Sequence, residues 1–259
     1  MSRDFSGGPG AAPIMGGAFR DTAWVLRQDW RRIAALSLLL LTPLEATSAW
    51  LQVHAPGKPY SPLAIGFAVI VPGLIQTVFV SLYIGGLAWS IDRLLQGKRT
   101  SLPELARHAL RRWPTMTGVE LVASAASLGG LILLVIPGLV ITSRWLVAPQ
   151  VAAIEDGGLR NALARSAYLT KGRRWLAVGV FVVSTIAYYS GYYAIELSLQ
   201  AIVGAPLREP VPTALNRYLL FPLYTVLYMS LSVVFHTAFF HRLLAARGSR
   251  ADITAEVFD

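Results

Sequence analysis

Five ionisable side chains lie inside or at the edges of long apolar runs: Glu45, Glu120, Arg144, Glu196 and His236. A charge in hydrocarbon is costly and is kept where it faces a partner or a water-filled path. Two polar series accompany them. Ser184, Tyr188, Tyr192, Glu196 and Gln200 recur every four residues, and Tyr224, Tyr228, Ser232 and His236 do the same. A four-residue step lays side chains in one slowly drifting stripe along a helix. Two such stripes facing each other either zip their helices together by hydrogen bonds or line a polar path for a small solute. Glu45, Arg144, Tyr188, Tyr192, Glu196, Tyr224, Tyr228 and His236 are therefore the candidate intramembrane polar cluster.

Catalytic templates are missing. The chain has no H-E-x-x-H, no phosphate-cradling glycine loop, no G-x-S-x-G and no His/Asp/Glu group at metal-ligand spacing. With no cysteine there is no thiol chemistry. No catalytic residue, cofactor or metal site is expected, and the chain reads as non-enzymatic.

The elements that must position these side chains are set by lipid. Of 259 residues 54% are hydrophobic and 14% charged, with a mean hydropathy of +0.53. A soluble domain carries about 25% charge. Six apolar segments stand out: Ile33–Val53, Leu63–Ile91, Val119–Ile136, Gly138–Ile154, Trp175–Gly204 and Tyr218–Leu244. A span needs about 20 residues, so the third and fourth are just long enough to cross. The expected fold is all-α: six transmembrane helices as three hairpins, with an amphipathic surface helix before spans 1, 3 and 5. The third and fourth segments can alternatively form one re-entrant hairpin around Pro137-Gly138. Residues 1–17, rich in Gly and Pro, read as a disordered tail. The membrane domain is 18–247, and 248–259 is a cytoplasmic tail.

Basic residues fix the sides. Counting loops in the six-span arrangement, nineteen Lys/Arg fall on one face and three on the other, with Arg144 left inside. By the positive-inside rule both termini are cytoplasmic. The re-entrant alternative keeps the same sides. Their attachment to apolar runs assigns the basic segments to anionic headgroups rather than nucleic acid. Arg111, Arg112, Arg173 and Arg174 are the candidate lipid contacts. Ser101-Leu-Pro-Glu104 is a capping box, and Gly172 is a natural stop for the third surface helix. Small-residue pairs Ala123/Ser127 and Ala126/Gly130 predict a close helix neighbour, within the bundle, in a second copy or in another membrane protein.

Glu45 stands twelve residues into its span, ~18 Å from the cytoplasmic side. Arg144 stands six residues from the opposite side, which in a ~30 Å core is ~21 Å from the cytoplasm. Either the two pair, or Arg144 snorkels to the outer headgroups.

One stretch carries a family pattern. Ile136-Pro-Gly, then Arg144 and Ala148-Pro149, Glu155, and Ala162-Leu-Ala-Arg-Ser-Ala-Tyr-Leu-Thr-Lys-Gly172 resemble the YciC-like bacterial inner-membrane proteins. The stretch is also similar to the membrane domain attached to some glycerophosphodiester phosphodiesterases. The resemblance implies a multi-pass protein of the bacterial cytoplasmic membrane, with a role in lipid or envelope maintenance. It implies no hydrolase activity, because the phosphodiesterase catalytic domain is absent.

Overall fold

The structure is a computed structural model that describes residues 11–53, 62–133, 135–203 and 219–247. These are all-helical, with no strand among them: α1 Ala11–Val53, α2 Pro62–Leu95, α3 Leu102–Leu133, α4 Val135–Trp145, α5 Ala148–Ile154, α6 Gly158–Thr170, α7 Arg174–Val203 and α8 Phe221–Ala245. Among the described residues three stretches are long and apolar enough to cross a membrane: Val71–Leu95, Arg174–Ile202 and Phe221–Ala245.

Six separate spans are not supported, and two local features bear on the third and fourth. The second surface helix does not end before span 3; α3 runs unbroken through Pro114 for 32 residues. The expected fourth span is broken. Pro149 has no N–H to offer the Trp145 carbonyl, and the chain turns at Leu146-Val147 between α4 and α5. Alone, α4 has 11 residues, about 16 Å of helix, roughly half a hydrocarbon core.

The first surface helix is likewise part of α1, set off from the span by non-helical backbone at Asp29 (φ −142°, ψ 24°). Of the expected disordered tail, 1–10 lies outside the described residues, and Ala11–Gly17 is helical. Burial explains that correction: Ile14 and Ala18 are in the core, and Gly17 lies against the Arg242 side chain. The C-terminal tail, 248–259, is also outside the described residues. Only the third surface helix, α6, stands as a separate element. It ends where Gly172 adopts φ +80°.

The described chain forms two compact units. One contains the residues up to Trp30, Ser81–Val182 and those from Leu231 onward. Its core is the second half of α8, where Val234, Ala238, Phe239, Phe240 and Leu243 are wholly buried. In this unit α3 pairs with α4 as a tight hairpin, while α5 and α6 pack on α3 and on each other. The other unit, Arg31–Val80 with Val183–Ser230, has inverted polarity. Ser37, Glu45, Ser48, Gln200, Thr225 and Ser230 are buried, while Leu39, Val183, Ile186, Leu197 and Leu227 are exposed. Lipid as solvent produces that inversion, since apolar surface facing hydrocarbon has no reason to hide.

The α3–α4 hairpin depends on a backbone approach at Gly130. A Cβ there would meet Gly138 Cα at 2.8 Å, whereas one at Gly129 meets nothing within 4 Å. Thr142 Oγ1 donates to Ser127 Oγ across the same seam (3.1 Å). The small residues at 127 and 130 thus serve packing within the chain. Gly130→Ala is expected to lower unfolding stability in detergent by about 1–3 kcal/mol, an overpacking cost. Gly129→Ala should be neutral or slightly stabilising. Equal thermal midpoints for the two variants would remove the seam from the account.

Candidate functional site

The eight residues of the polar cluster are distributed over both compact units. Glu45, Tyr188, Tyr192, Glu196, Tyr224 and Tyr228 belong to one unit, and Arg144 and His236 to the other.

The tyrosines are engaged. Tyr224 Oη donates to the carbonyls of Tyr188 (2.7 Å) and Ala187 (3.1 Å), and Tyr228 Oη donates to that of Ser184 (2.7 Å). Two hydroxyls from α8 therefore grip the α7 backbone one turn apart. Gly191 makes room, because a Cβ at that position would lie 2.4 Å from Tyr224 Oη. The rings of Tyr188 and Tyr228 are 5.0 Å apart, and Tyr192 meets Phe221 edge-on at 5.0 Å. Such bonds contribute about 0.6 kcal/mol each in membranes, so the stripe is a modest zipper. Glu196 is half-buried on the same helix. Glu45 is 8% exposed and its carboxylate accepts from Gln76 Nε2 at 3.4 Å. His236 is satisfied by its own helix, Nδ1–H donating to the Ser232 carbonyl (2.8 Å).

Arg144 is the largest revision. Its side chain is exposed, and its carbonyl accepts from Ser166 Oγ (2.8 Å) and Thr170 Oγ1 (3.4 Å). Its backbone therefore sits against the last turn of α6, beside Lys171. The depth that set Arg144 level with Glu45 assumed a full crossing by span 4, which the 11-residue α4 does not by itself provide.

Among the four candidate lipid contacts, Arg111 and Arg174 are exposed, and Arg173 is half-buried. Arg112 is spoken for, forming an ion pair with Asp156.

Sequence reasoning missed the buried ion pairs. Asp21 (1% exposed) receives Nε and Nη2 of Arg242 at 2.7 and 3.0 Å. Asp92 faces His241 Nε2 at 3.0 Å and accepts from Gln96 Nε2 at 2.9 Å. Arg165 meets Glu155 at 3.0 Å. A signal existed for Asp21: with Ile14, Ala18 and Val25 it shares the three- and four-residue step of a buried helix face. Its partner, 221 residues away, is invisible without the fold. Breaking a buried pair typically costs 3–5 kcal/mol, and Asp21–Arg242 joins α1 to α8. Among the described residues no group of three His, Asp or Glu is placed to hold a metal.

Compared with family models, with curated proteins and with solved structures, the chain finds no match.

The start of α3 carries the perturbed groups. Ser101 and Glu104 form the expected capping box, Ser101 N–H donating to Glu104 (2.9 Å) and Glu104 N–H to Ser101 Oγ (3.4 Å). The backbone bond from Ser101 lowers the carboxyl's pKa. His108 stacks on Trp89 (4.3 Å) and bonds the Ala153 carbonyl (2.7 Å), which can only accept, so Nε2 carries the proton. Burial, with Arg112, Arg111 and Arg93 nearby, lowers the imidazole's pKa against the opposing pull of the Ala153 bond. The unfolded chain then takes up a proton near pH ~6.5 that the folded chain resists. Stability should be full above that pH, decline as pH falls through it, and level off once the folded ring also protonates. His108→Gln keeps a donor for Ala153 and should flatten this part of the pH–thermal-midpoint curve; an unchanged slope would discard His108 as its source.

Proposed function

We propose that the chain is a non-enzymatic integral protein of a bacterial cytoplasmic membrane, acting as an interaction module in lipid or envelope maintenance. In this reading the Lys/Arg excess on one face puts both termini in the cytoplasm, with α1 crossing in addition to the three stretches named above. Membership of the YciC-like group belongs to the same proposal. The observation that carries the interaction role is where the cluster's hydroxyls go. Tyr224 and Tyr228 are spent on backbone carbonyls of the neighbouring helix, which favours a zipped hairpin over a solute path.

Topology follows the hairpin. The turn between α3 and α4 dips into the bilayer, and α4 returns to the side it came from. The bond from Ser166 to the Arg144 carbonyl supports this, because it ties the end of α4 to the basic helix α6. Re-entrant backbone is tolerated where protein covers it, and Gly138 is buried against Gly130. Partners of this module are membrane lipids with anionic headgroups, and a second copy or another membrane protein along exposed α7.

A carrier is the second reading. Glu45, buried with Gln76 as a long-range hydrogen-bond partner, is the residue it would use. Native mass spectrometry of the protein released from native-lipid particles separates the two. The module reading expects co-purifying anionic lipid or a protein partner. A bare monomer, together with solute uptake by reconstituted vesicles that Glu45→Gln abolishes, would replace it with the carrier.

A further inference from the structure

Cations from three distant stretches meet at the C-terminal end of α6. Ser166 and Thr170 hold the Arg144 carbonyl there. Arg247 Nε donates to the Leu169 carbonyl (3.3 Å), its Nη2 bonds the Lys171 carbonyl, and its guanidinium lies over the Tyr168 ring (4.5 Å). Arg173 N–H closes the turn on the Thr170 carbonyl (2.9 Å), and α7 begins at Arg174. Hydrogen bonds thus fix the backbone that carries Arg144, Lys171 and Arg174 around one helix end.

The last carbonyls of a helix attract cations, but Arg247 already occupies two of the carbonyls here. Arg144, Lys171 and Arg174 remain exposed. The acids lying between Arg144 and Arg174 in sequence, Glu155 and Asp156, are paired with Arg165 and Arg112. Beside them Trp175 is 84% exposed, as suits an indole at a membrane–water boundary. Two to three turns further along α7, Val182, Val183 and Ile186 are exposed.

We propose that Arg144, Lys171 and Arg174, with Trp175, form a discrete site for the phosphate of one anionic phospholipid, whose acyl chains lie along α7. Guanidinium forks and an ammonium suit a phosphodiester, and the apolar run from Trp175 selects a lipid over a free anion. The site deepens the membrane-module reading and rests on it.

The test uses full-length protein in phosphatidylcholine particles containing a minor share of phosphatidylglycerol. Retained lipid is measured after detergent exchange. Wild type and the charge-matched control Arg20→Gln/Arg27→Gln/Arg160→Gln should keep phosphatidylglycerol. Arg144→Gln/Lys171→Gln/Arg174→Gln should lose it at least about tenfold, three cations each contributing to headgroup binding. Excess inorganic phosphate should not displace it. Equal loss from both triple variants would mean a diffuse charge effect and overturn the site, as would displacement by phosphate. A photo-crosslinking residue at Trp175 in otherwise wild-type protein should capture phosphatidylglycerol in preference to phosphatidylcholine, and equal capture would also overturn it. Normal membrane insertion with no lipid preference would defeat the site alone; failure to insert would defeat the membrane reading beneath it.

Discussion

A helix that stops inside a protein leaves carbonyls without donors, and something must take them. At the end of α4 the carbonyl of Arg144 is taken by the hydroxyls of Ser166 and Thr170. That capture fixes α6 on the hairpin, brings Lys171 and Arg174 to Arg144, and sets where α7 begins. The family-like pattern between Ile136 and Gly172 thereby acquires a physical content. Pro149 removes a donor, Ser166 and Thr170 supply replacements, Arg165 pairs with Glu155, and Gly172 permits the positive φ that ends α6. Ser166, Thr170, Arg165 and Glu155 thus hold these elements together.

Lipid imposes the complementary constraint. Where water no longer rewards apolar burial, polar contacts and close backbone approach hold helices together. Buried serines in the inverted unit bond back to their own helix, Ser37 to the Ile33 carbonyl and Ser230 to that of Val226, both at 2.6 Å. Tyrosines do the work between helices. In the other unit, buried polar groups meet across elements far apart in sequence, Asp21 with Arg242 and Asp92 with His241. Such a contact is stable only while both members keep their partner.

Much of this was legible in the sequence because it is local. The Ser101–Glu104 capping box, the stop at Gly172, and the tyrosine stripes on the last two helices are written in steps of three and four residues. The close approach at Gly130 was legible as a class of contact, but its neighbour could not be named. Helix continuity was hidden. Trp113-Pro114 looks like an end, yet proline removes only one hydrogen bond and α3 continues past it. The break before Pro149 was hidden in the opposite way, since hydropathy stays high through Leu146-Val147 while the backbone turns. The depth given to Arg144 rested instead on taking the turn at Pro137-Gly138 as the opposite face of the bilayer, a premise that the 11-residue α4 does not support.

The central claim is that the α3–α4 hairpin enters the membrane and returns without crossing. The chain has no cysteine of its own, so single cysteines at Ile136 and at Trp175 can be probed with a membrane-impermeant maleimide applied to each face in turn. Ile136 is exposed at the tip of the hairpin and Trp175 at the start of α7. The account predicts that the cysteine at Trp175 labels from the cytoplasmic face, and that the one at Ile136 is silent to reagent on the opposite face. Labelling at Ile136 from that opposite face would show a full crossing and contradict it.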